Sequence, residues 1–188
     1  MPYFEKIPGE RIYLSPMNPD DAETYTKWMN DPEVIFWLDQ ASRVYTLPSE
    51  RAWLETCANQ TGKNMDQYNF AIVLREGERL LGNIGLMNIH PVHRTATFGM
   101  FIGEAEDRSC GYGTEALGLL LSYSFRWLGL RNIDLHVDSE NARAIRCYEK
   151  VGFKEYGCRS QAIFYDGQWH DRIFMEILAE NWLAQKRE

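Results

Sequence analysis

Long apolar runs are absent from this 188-residue chain. No stretch approaches the roughly 18 apolar residues that a membrane-spanning helix needs. The opening residues, from Met1 to Lys6, contain no apolar core typical of a signal peptide. The length suits one domain over residues 1–188. We therefore expect a single-domain cytoplasmic protein without a membrane partner.

Cysteine is scarce and follows no pattern. Cys57, Cys110, Cys147 and Cys158 form no CxxC pair and no metal-type spacing. In a chain without an export signal they are most simply reduced thiols, so the sequence predicts neither a disulfide framework nor a bound metal. An acyl-carrying nucleophile at Cys110 or Cys147 is one alternative, although the sequence shows no histidine paired with either thiol.

Positive charge is in deficit. The chain has 20 Lys and Arg against 27 Asp and Glu, a formal net charge of −7. Proteins that bind nucleic acid present a basic face, and no basic cluster occurs here, so nucleic acid is not an expected partner. The acidic balance favours a cationic partner such as an amine. An anionic ligand would have to be held by local hydrogen-bond donors.

Alternating and helical patterns interleave along the chain and predict a mixed α/β domain with one central sheet. Strands are predicted at residues 11–14, 70–74, 80–86, 96–103, 133–137, 162–165 and 172–178. Helices are predicted at residues 18–31, from 48 through 57 to an end near Gly62, 113–128 and 141–151. Residues 33–47 are rich in aromatic side chains and show no regular pattern.

A glycine-rich segment, Arg108-Ser109-Cys110-Gly111-Tyr112-Gly113, lies between a predicted strand and the longest predicted helix. Such a loop directs unpaired backbone N–H groups at one point, where the helix dipole favours an anion. The dinucleotide fingerprint is not met because its third glycine is missing, and the Walker loop is not met because Gly-Lys-Ser/Thr is missing. The segment predicts a phosphate-binding loop, with a plain glycine turn as the alternative.

The pattern Arg108-x-x-Gly111-x-Gly113 resembles the coenzyme A motif of the GCN5-related N-acetyltransferase (GNAT) superfamily. Residues 141–153 are similar to that family's Asn-x-x-Ala-x-x-x-Tyr-x-x-x-Gly-Phe helix. Asp166-Gly167, with Asp171 and Met175, resembles the subgroup that acetylates ribosomal-protein N-termini (alanine or serine) and spermidine. The similarity runs in the family's order over residues 11–177, with a motif core at 96–153.

The resemblance implies an α/β (α+β) fold, with a single domain and helices on both faces of the sheet. The sheet would be mixed, mostly antiparallel and splayed between its fourth and fifth strands, here residues 96–103 and 133–137. Acetyl-CoA would be the cosubstrate, its pantetheine arm lying in that gap, and no metal would be needed. The implied coenzyme-binding residues are Met100, Phe101, Ile102, Arg108, Ser109, Cys110, Gly111, Tyr112, Gly113, Thr114, Asn141, Ala144 and Tyr148.

The implied reaction is direct transfer of the acetyl group to a primary amine through a ternary complex. Tyr148 would be the general acid, because a phenol with a pKa of about 10 stays protonated at neutral pH; a core tyrosine is the alternative. Asn141 would contact the pantetheine arm, cap its helix, or do both. Candidate proton acceptors are Glu33, Asp39, His90 and His93.

The implied acceptor is a ribosomal-protein or peptide N-terminus, or a small polyamine-like amine. The candidate substrate-binding residues are Glu33, Trp37, Asp39 and His93, with packing under a loop as the alternative for the aromatic segment at 35–38. Asn88 stands where the polyamine enzymes tend to carry an acid. Many relatives self-associate, which implies a homodimer. The alternative function is a non-catalytic acyl-CoA-binding sensor or interaction domain, which would not require Tyr148. A thioester hydrolase is a weaker alternative because the sequence lacks a nucleophile elbow.

Overall fold

A computed structural model of the chain describes residues 3–59 and 66–185. Within them the strands are β1 Ile7–Pro8, β2 Ile12–Pro16, β3 Tyr68–Leu74, β4 Arg79–His90, β5 Thr95–Ile102, β6 Asn132–Asp138, β7 Lys154–Tyr165 and β8 Gln168–Leu178. The α-helices are α1 Ala22–Met29, α2 Pro32–Ile35, α3 Leu47–Ala58, α4 Tyr112–Arg126, α5 Ala142–Val151 and α6 Ala179–Gln185. None of these helices is long and apolar enough to cross a membrane.

The strands form one sheet in the order β1-β2-β3-β4-β5-β6-β8-β7. Every neighbouring pair is antiparallel except β5 and β6, which run parallel. These two strands pair only where Thr95–Thr97 lies beside Asn132–Asp134. Beyond that point β5 continues along β4 and β6 continues along β8. The predicted splay is thus confirmed, between the fifth and sixth strands once the short β1 is counted.

Side-chain alternation gives the sheet two buried faces, each covered by helices. Ile12 and Leu14 belong to one buried cluster with Leu120 of α4, while Tyr13 belongs to a second cluster with Trp28 of α1. The first cluster also contains side chains of α5 and α6, and the second contains side chains of α3. The predicted helices on both faces are confirmed. The gap between β5 and β6 is therefore walled by α4 and α5 on one face and by α1 and α3 on the other.

Several predicted element boundaries differ from the observed ones for local reasons. The Asn18 side chain does cap a helical start, accepting from Asp20 N–H at 3.1 Å, but the first turn is a 3₁₀ turn before α1. Helix α3 begins at Leu47, not Pro48, because Thr46 and Ser49 form a capping box. Residues 33–47 are not wholly irregular, since Asp31 caps α2. Strand β7 is much longer than predicted. Its residues are mostly exposed and show little apolar alternation, so the sequence pattern indicated only its last residues.

Candidate active site

The gap between β5 and β6 opens into a cleft of about 830 Å³. Most of the predicted site residues line it: Glu33, Trp37, Asp39, Met100, Phe101, Ile102, Arg108, Ser109, Gly111, Gly113, Thr114, Asn141, Ala144 and Tyr148. Cys110, Tyr112 and His93 are not among its lining residues. The two sequence motifs, which belong to different loops and helices, thus meet at one cleft.

The open edge of β5 presents backbone groups to this cleft. Gly103 N–H donates to the carbonyl oxygen of Leu81 on β4 at 2.9 Å. In an antiparallel ladder, successive residues direct their N–H and C=O groups to opposite sides. The backbone N–H and C=O groups of Phe101 therefore bond to β4, whereas those of Met100 and Ile102 point into the gap. The expected backbone contact is open to both groups of Met100 and to the N–H of Ile102, whose carbonyl accepts from Arg108, but not to Phe101. This distinction depends on strand register and cannot be read from the sequence.

The glycine-rich loop that was predicted to bind phosphate ends at the N-terminus of α4. Gly111 occupies the N-cap position with φ of 86°, a conformation that favours glycine, and no side chain caps the helix. The N–H groups of the first turn are therefore left for an outside acceptor, as in anion sites at helix N-termini. The Arg11 guanidinium fixes the loop by donating to the carbonyl of Cys110 at 3.0 Å and pairing with Glu115 at 3.0 Å.

Arg108 is turned inward from the loop instead of outward to solvent, and only 11% of its side chain is exposed. Its guanidinium donates to the carbonyl oxygens of Gly103, at 2.6 Å, and Ile102, at 3.3 Å. A longer contact of 3.5 Å joins it to the carboxylate of Glu33. Arg108 thereby ties the end of β5 to the loop while placing positive charge in the cleft wall.

Helix α5 lies beside α4 on the same face of the sheet and also borders the cleft. The Asn141 side chain accepts from Ala144 N–H at 3.1 Å, which confirms its capping role and leaves its amide N–H groups for the cleft. Tyr148 is 9% exposed and packs edge-on against Phe98, with ring centroids 5.8 Å apart. Burial raises the pKa of the Tyr148 phenol well above its ordinary value, so the phenol keeps its proton. No side chain in the described residues hydrogen-bonds its hydroxyl.

The two motif cysteines lack the surroundings of a nucleophile. Cys147 lies 3.3 Å from the Thr114 hydroxyl, and burial raises the pKa of its thiol, which disfavours the reactive thiolate. Cys110 is exposed and its thiol donates to the carbonyl of Glu106 at 3.3 Å. In the described part of the chain no histidine contacts either sulfur. Nor do any three His, Cys, Asp or Glu residues there form a group able to hold a metal ion.

The predicted acceptor residues fall into two places. Glu33, Trp37 and Asp39 line the cleft, where Asp39 forms an ion pair with Arg172. Glu33 is 72% exposed on its side chain. His93 instead lies in the turn before β5, stacked on His90 with ring centroids 4.2 Å apart. The structure thus puts both histidines outside the cleft, at the opposite end of β5 from Met100.

Sequence reasoning missed several polar residues that line the cleft. His136 lies on β6, where side-chain alternation points it away from the α4 face and into the cleft. Burial, and then the charge of Arg172, lower the pKa of its imidazole. Arg143, Arg146 and Lys150 line the α5 wall. Their spacing of three and four residues, which places them on one helix face, was the available signal. The histidine carried no signal, because one polar residue in an alternating strand is usually solvent-exposed.

Comparisons with known proteins agree with this geometry. The sequence profile of the family described as "Acetyltransferase (GNAT) domain" matches residues 11–154. The probable N-acetyltransferase YjcK of Bacillus subtilis (strain 168) is 28% identical over 176 residues, which cover 92% of this chain and 96% of the relative. The spermidine N(1)-acetyltransferase of Vibrio cholerae is 35% identical over 106 residues, 56% of this chain and 61% of that enzyme.

A solved structure has the same fold. The spermidine N-acetyltransferase from Vibrio cholerae, crystallised in complex with CoA and spermine, superposes with a TM-score of 0.82 at 24% identity. The superposition covers 92% of this chain and 98% of that one. The splayed sheet and its flanking helices are therefore an architecture that this chain shares with a solved acetyltransferase.

Proposed function

Because the chain belongs to the GNAT acetyltransferase family and is therefore an acetyl-CoA-dependent N-acetyltransferase, we propose that it moves the acetyl group directly to a primary amine within a ternary complex. The acceptor is a peptide or ribosomal-protein N-terminus, or a small polyamine-like amine. The formal net charge of −7 supports a cationic acceptor. A relative named as a spermidine acetyltransferase supports the same class of substrate.

The observation that carries this proposal is the continuity of the coenzyme channel. The open backbone edge at Met100 and Ile102 leads directly to the uncapped N-terminus of α4. A Cβ atom built on Gly113 would lie only 3.1 Å from Cε of Met100, so the strand edge and the helix start are in contact. A pantetheine arm along β5 would thus deliver its pyrophosphate to the helix N-terminus, near the cationic side chains of α5.

The residues around the gap supply the remaining steps of the reaction. Attack by the amine nitrogen on the thioester carbon breaks the C–S bond and releases a thiolate. The N–H of Met100, directed into the gap, is available to the carbonyl oxygen as it gains negative charge. Tyr148, which retains its proton, is available to protonate the thiolate. His136, held neutral on the α1–α3 face, is available to take the proton that the ammonium must lose before attack.

We also propose that the protein works in the cytoplasm as a homodimer, without nucleic-acid or membrane partners. Exposed apolar side chains on the β7–β8 hairpin, Tyr156, Phe164 and Trp169, offer a surface for self-association. The deficit of positive charge argues against a nucleic-acid surface.

A panel assay of free coenzyme A release from acetyl-CoA tests the proposed activity. Spermidine, butylamine, an alanine-initiated peptide and aniline serve as acceptors, with an amine-free reaction alongside. Release that depends on an amine, with an acetylated product seen by mass spectrometry, is the expected result. Release without an amine would mean a thioester hydrolase. Binding of acetyl-CoA without any release would mean a sensor domain.

A further inference from the structure

We propose that Glu50 receives the positive charge of the amine acceptor, in a pocket on the α1–α3 face of β4 and β5. The inference rests on the proposed function and names the part of the site that selects a cationic substrate. Glu50 belongs to α3, outside both sequence motifs, and its side chain lines the cleft.

Glu50 is a buried anion without a counter-ion. It lies on the stripe of α3 that faces the sheet, together with Leu54 and Cys57, and is 5% exposed. No hydrogen bond or ion pair reaches its carboxylate within residues 3–59 and 66–185. Burial alone raises its pKa, and no cation acts on it. An unpaired buried carboxylate is costly to folding unless a ligand supplies the missing charge.

The neighbouring polar atoms complete a set of hydrogen-bond acceptors. The Asn83 carbonyl oxygen Oδ1 and the Tyr25 hydroxyl are buried without a partner in the described residues, and both side chains line the same cleft. Burial, followed by the charge of Asp21 and with a smaller contribution from Glu50, raises the pKa of Tyr25, so its hydroxyl stays protonated. An alkylammonium carries only donors. A carboxylate with two further oxygens is therefore complementary to it.

Two glycines form part of the floor of this pocket. Gly85 of β4 and Gly99 of β5 are directly paired. A Cβ atom on Gly85 would lie 2.6 Å from the carbonyl of Tyr68, and one on Gly99 would lie 3.1 Å from Cε of Met87, so neither position has room for a larger residue. Trp53 of α3 also lines the cleft and packs on Tyr25, with ring centroids 5.6 Å apart. An aromatic wall further favours a cation.

The other carboxylates that line the cleft each have a partner. Asp39 pairs with Arg172, Glu33 lies beside Arg108, and Asp107 pairs with Arg79. Asp138 has no cation in the described part of the chain, but its Oδ1 accepts from the N–H of Glu140 at 2.8 Å. Arg43 also lines the cleft. Its charge opposes the rise that burial causes in the pKa of Tyr45, but it does not shift the pKa of Glu50. Among the described residues, Glu50 is therefore the cleft carboxylate that neither a cation nor a hydrogen-bond donor reaches, which leaves it free to bind an incoming amine.

The test compares Glu50→Gln with Glu55→Gln. Glu55 lies on the exposed side of the same helix, so its variant makes the same charge change outside the cleft. Spermidine and butylamine are the cationic acceptors, and aniline is the uncharged one at pH 7.5. We expect Glu50→Gln to lower kcat/KM for the cations at least about tenfold, mainly through KM. Aniline turnover and coenzyme A affinity should stay within about twofold, and Glu55→Gln should match wild type throughout.

A stability measurement separates substrate binding from a structural role. The folded-state pKa of Glu50 is raised, so ionised Glu50 opposes folding as pH rises above its ordinary value of 4.5. Glu50→Gln should therefore melt at the same temperature as wild type or higher at pH 8, with the difference vanishing near pH 4. A lower melting temperature at pH 8 would indicate a structural residue and overturn the inference.

Thermal shifts with amines keep this inference distinguishable from the proposed activity. Spermidine and butylamine should raise the melting temperature of the wild-type complex with coenzyme A more than that of the Glu50→Gln complex. Equal shifts, or equal kinetics in the two Gln variants, would overturn the role of Glu50 while leaving the transferase intact. If wild type turned over no amine yet showed the differential shift, the proposed activity would fail and the cation site would stand.

Discussion

At the scale of single residues, Tyr148 is the group whose removal should affect the chemical step alone. Tyr148→Phe keeps the ring that packs on Phe98 and Phe153 and removes only the donor. We expect kcat to fall by about 10²–10⁴, with acetyl-CoA affinity and melting temperature nearly unchanged. Steady-state kinetics and calorimetry check this. A kcat within about threefold of wild type would refute the general-acid role, leaving water to protonate the thiolate.

His136 should determine the acidic limb of the pH–rate profile. Its pKa lies below the ordinary value of 6.5 because of burial and Arg172, while Asp39 and Asp134 act in the opposite sense. The neutral form therefore dominates at pH 7 and is lost as pH falls further. His136→Gln should lower kcat/KM about 10²-fold or more at pH 7.5 and abolish that limb. An unchanged limb in the variant would assign it to another group.

The same shift has a consequence for folding. Below pH 6.5 the unfolded chain protonates this histidine more readily than the folded one, so wild type should lose stability on acidification faster than His136→Gln. Melting temperatures at pH 8 and pH 5.5 measure the difference. His170→Gln is the control, since His170 lies on β8 outside the cleft lining and stacks on Tyr165 at 4.0 Å.

At the scale of elements, the start of α4 offers a matched pair of glycines. A side chain on Gly113 would meet Met100 where the strand edge joins the helix, whereas nothing lies within 4 Å of a Cβ on Gly118. Gly113→Val and Gly118→Val introduce the same β-branched side chain into the same helix, and both replace glycine by a residue of somewhat higher helix propensity. We expect only the former to weaken coenzyme A binding, at least tenfold or about 1.4 kcal/mol. Calorimetry giving equal affinities for the two folded variants would contradict the loop assignment.

The sequence predicted those elements whose signals are local. Amphipathic spacing predicted α4, and the Asn141 cap with Gly152, whose φ is 111°, fixed both ends of α5. The boundaries of α3 and β7 were wrong. The capping box of Thr46 and Ser49 begins α3 at Leu47, one residue before the proline that had indicated its start. Strand β7 is mostly exposed, so its sequence shows little of the apolar alternation by which strands are predicted.

The site was predictable only as far as its motifs extend. Two motif segments indicated both walls of the coenzyme channel, but strand register decides that Met100 and not Phe101 faces the gap. Glu50 looked like an ordinary acidic residue in a first helical turn. Its burial results from the way α3 packs on a sheet formed by strands distant in sequence, which no local pattern encodes.

At the scale of the whole molecule, the net charge of −7 should act on substrate encounter. Raising the salt concentration from about 0.01 M to 0.15 M shortens the screening length from about 30 Å to about 8 Å. The kcat/KM for spermidine should fall over this range, that for butylamine less, and that for aniline hardly at all. Equal salt dependence for all three amines would show that the overall field does not guide the acceptor.

The brief pairing of β5 with β6 leaves the sheet joined by a narrow seam. Three ladder positions hold the two parts together, helped by the contact of Tyr148 with Phe98 across the gap. The buried cluster that contains Leu120 also contains Ile133 and Met175 from the other side of the seam, so opening there would break few backbone hydrogen bonds but would divide this cluster. Apolar packing, more than the ladder, therefore keeps the two parts in one cooperative unit. A coenzyme lying in the gap would bond to both parts at once, and at one hundred times its dissociation constant it would add about 2.7 kcal/mol of stability.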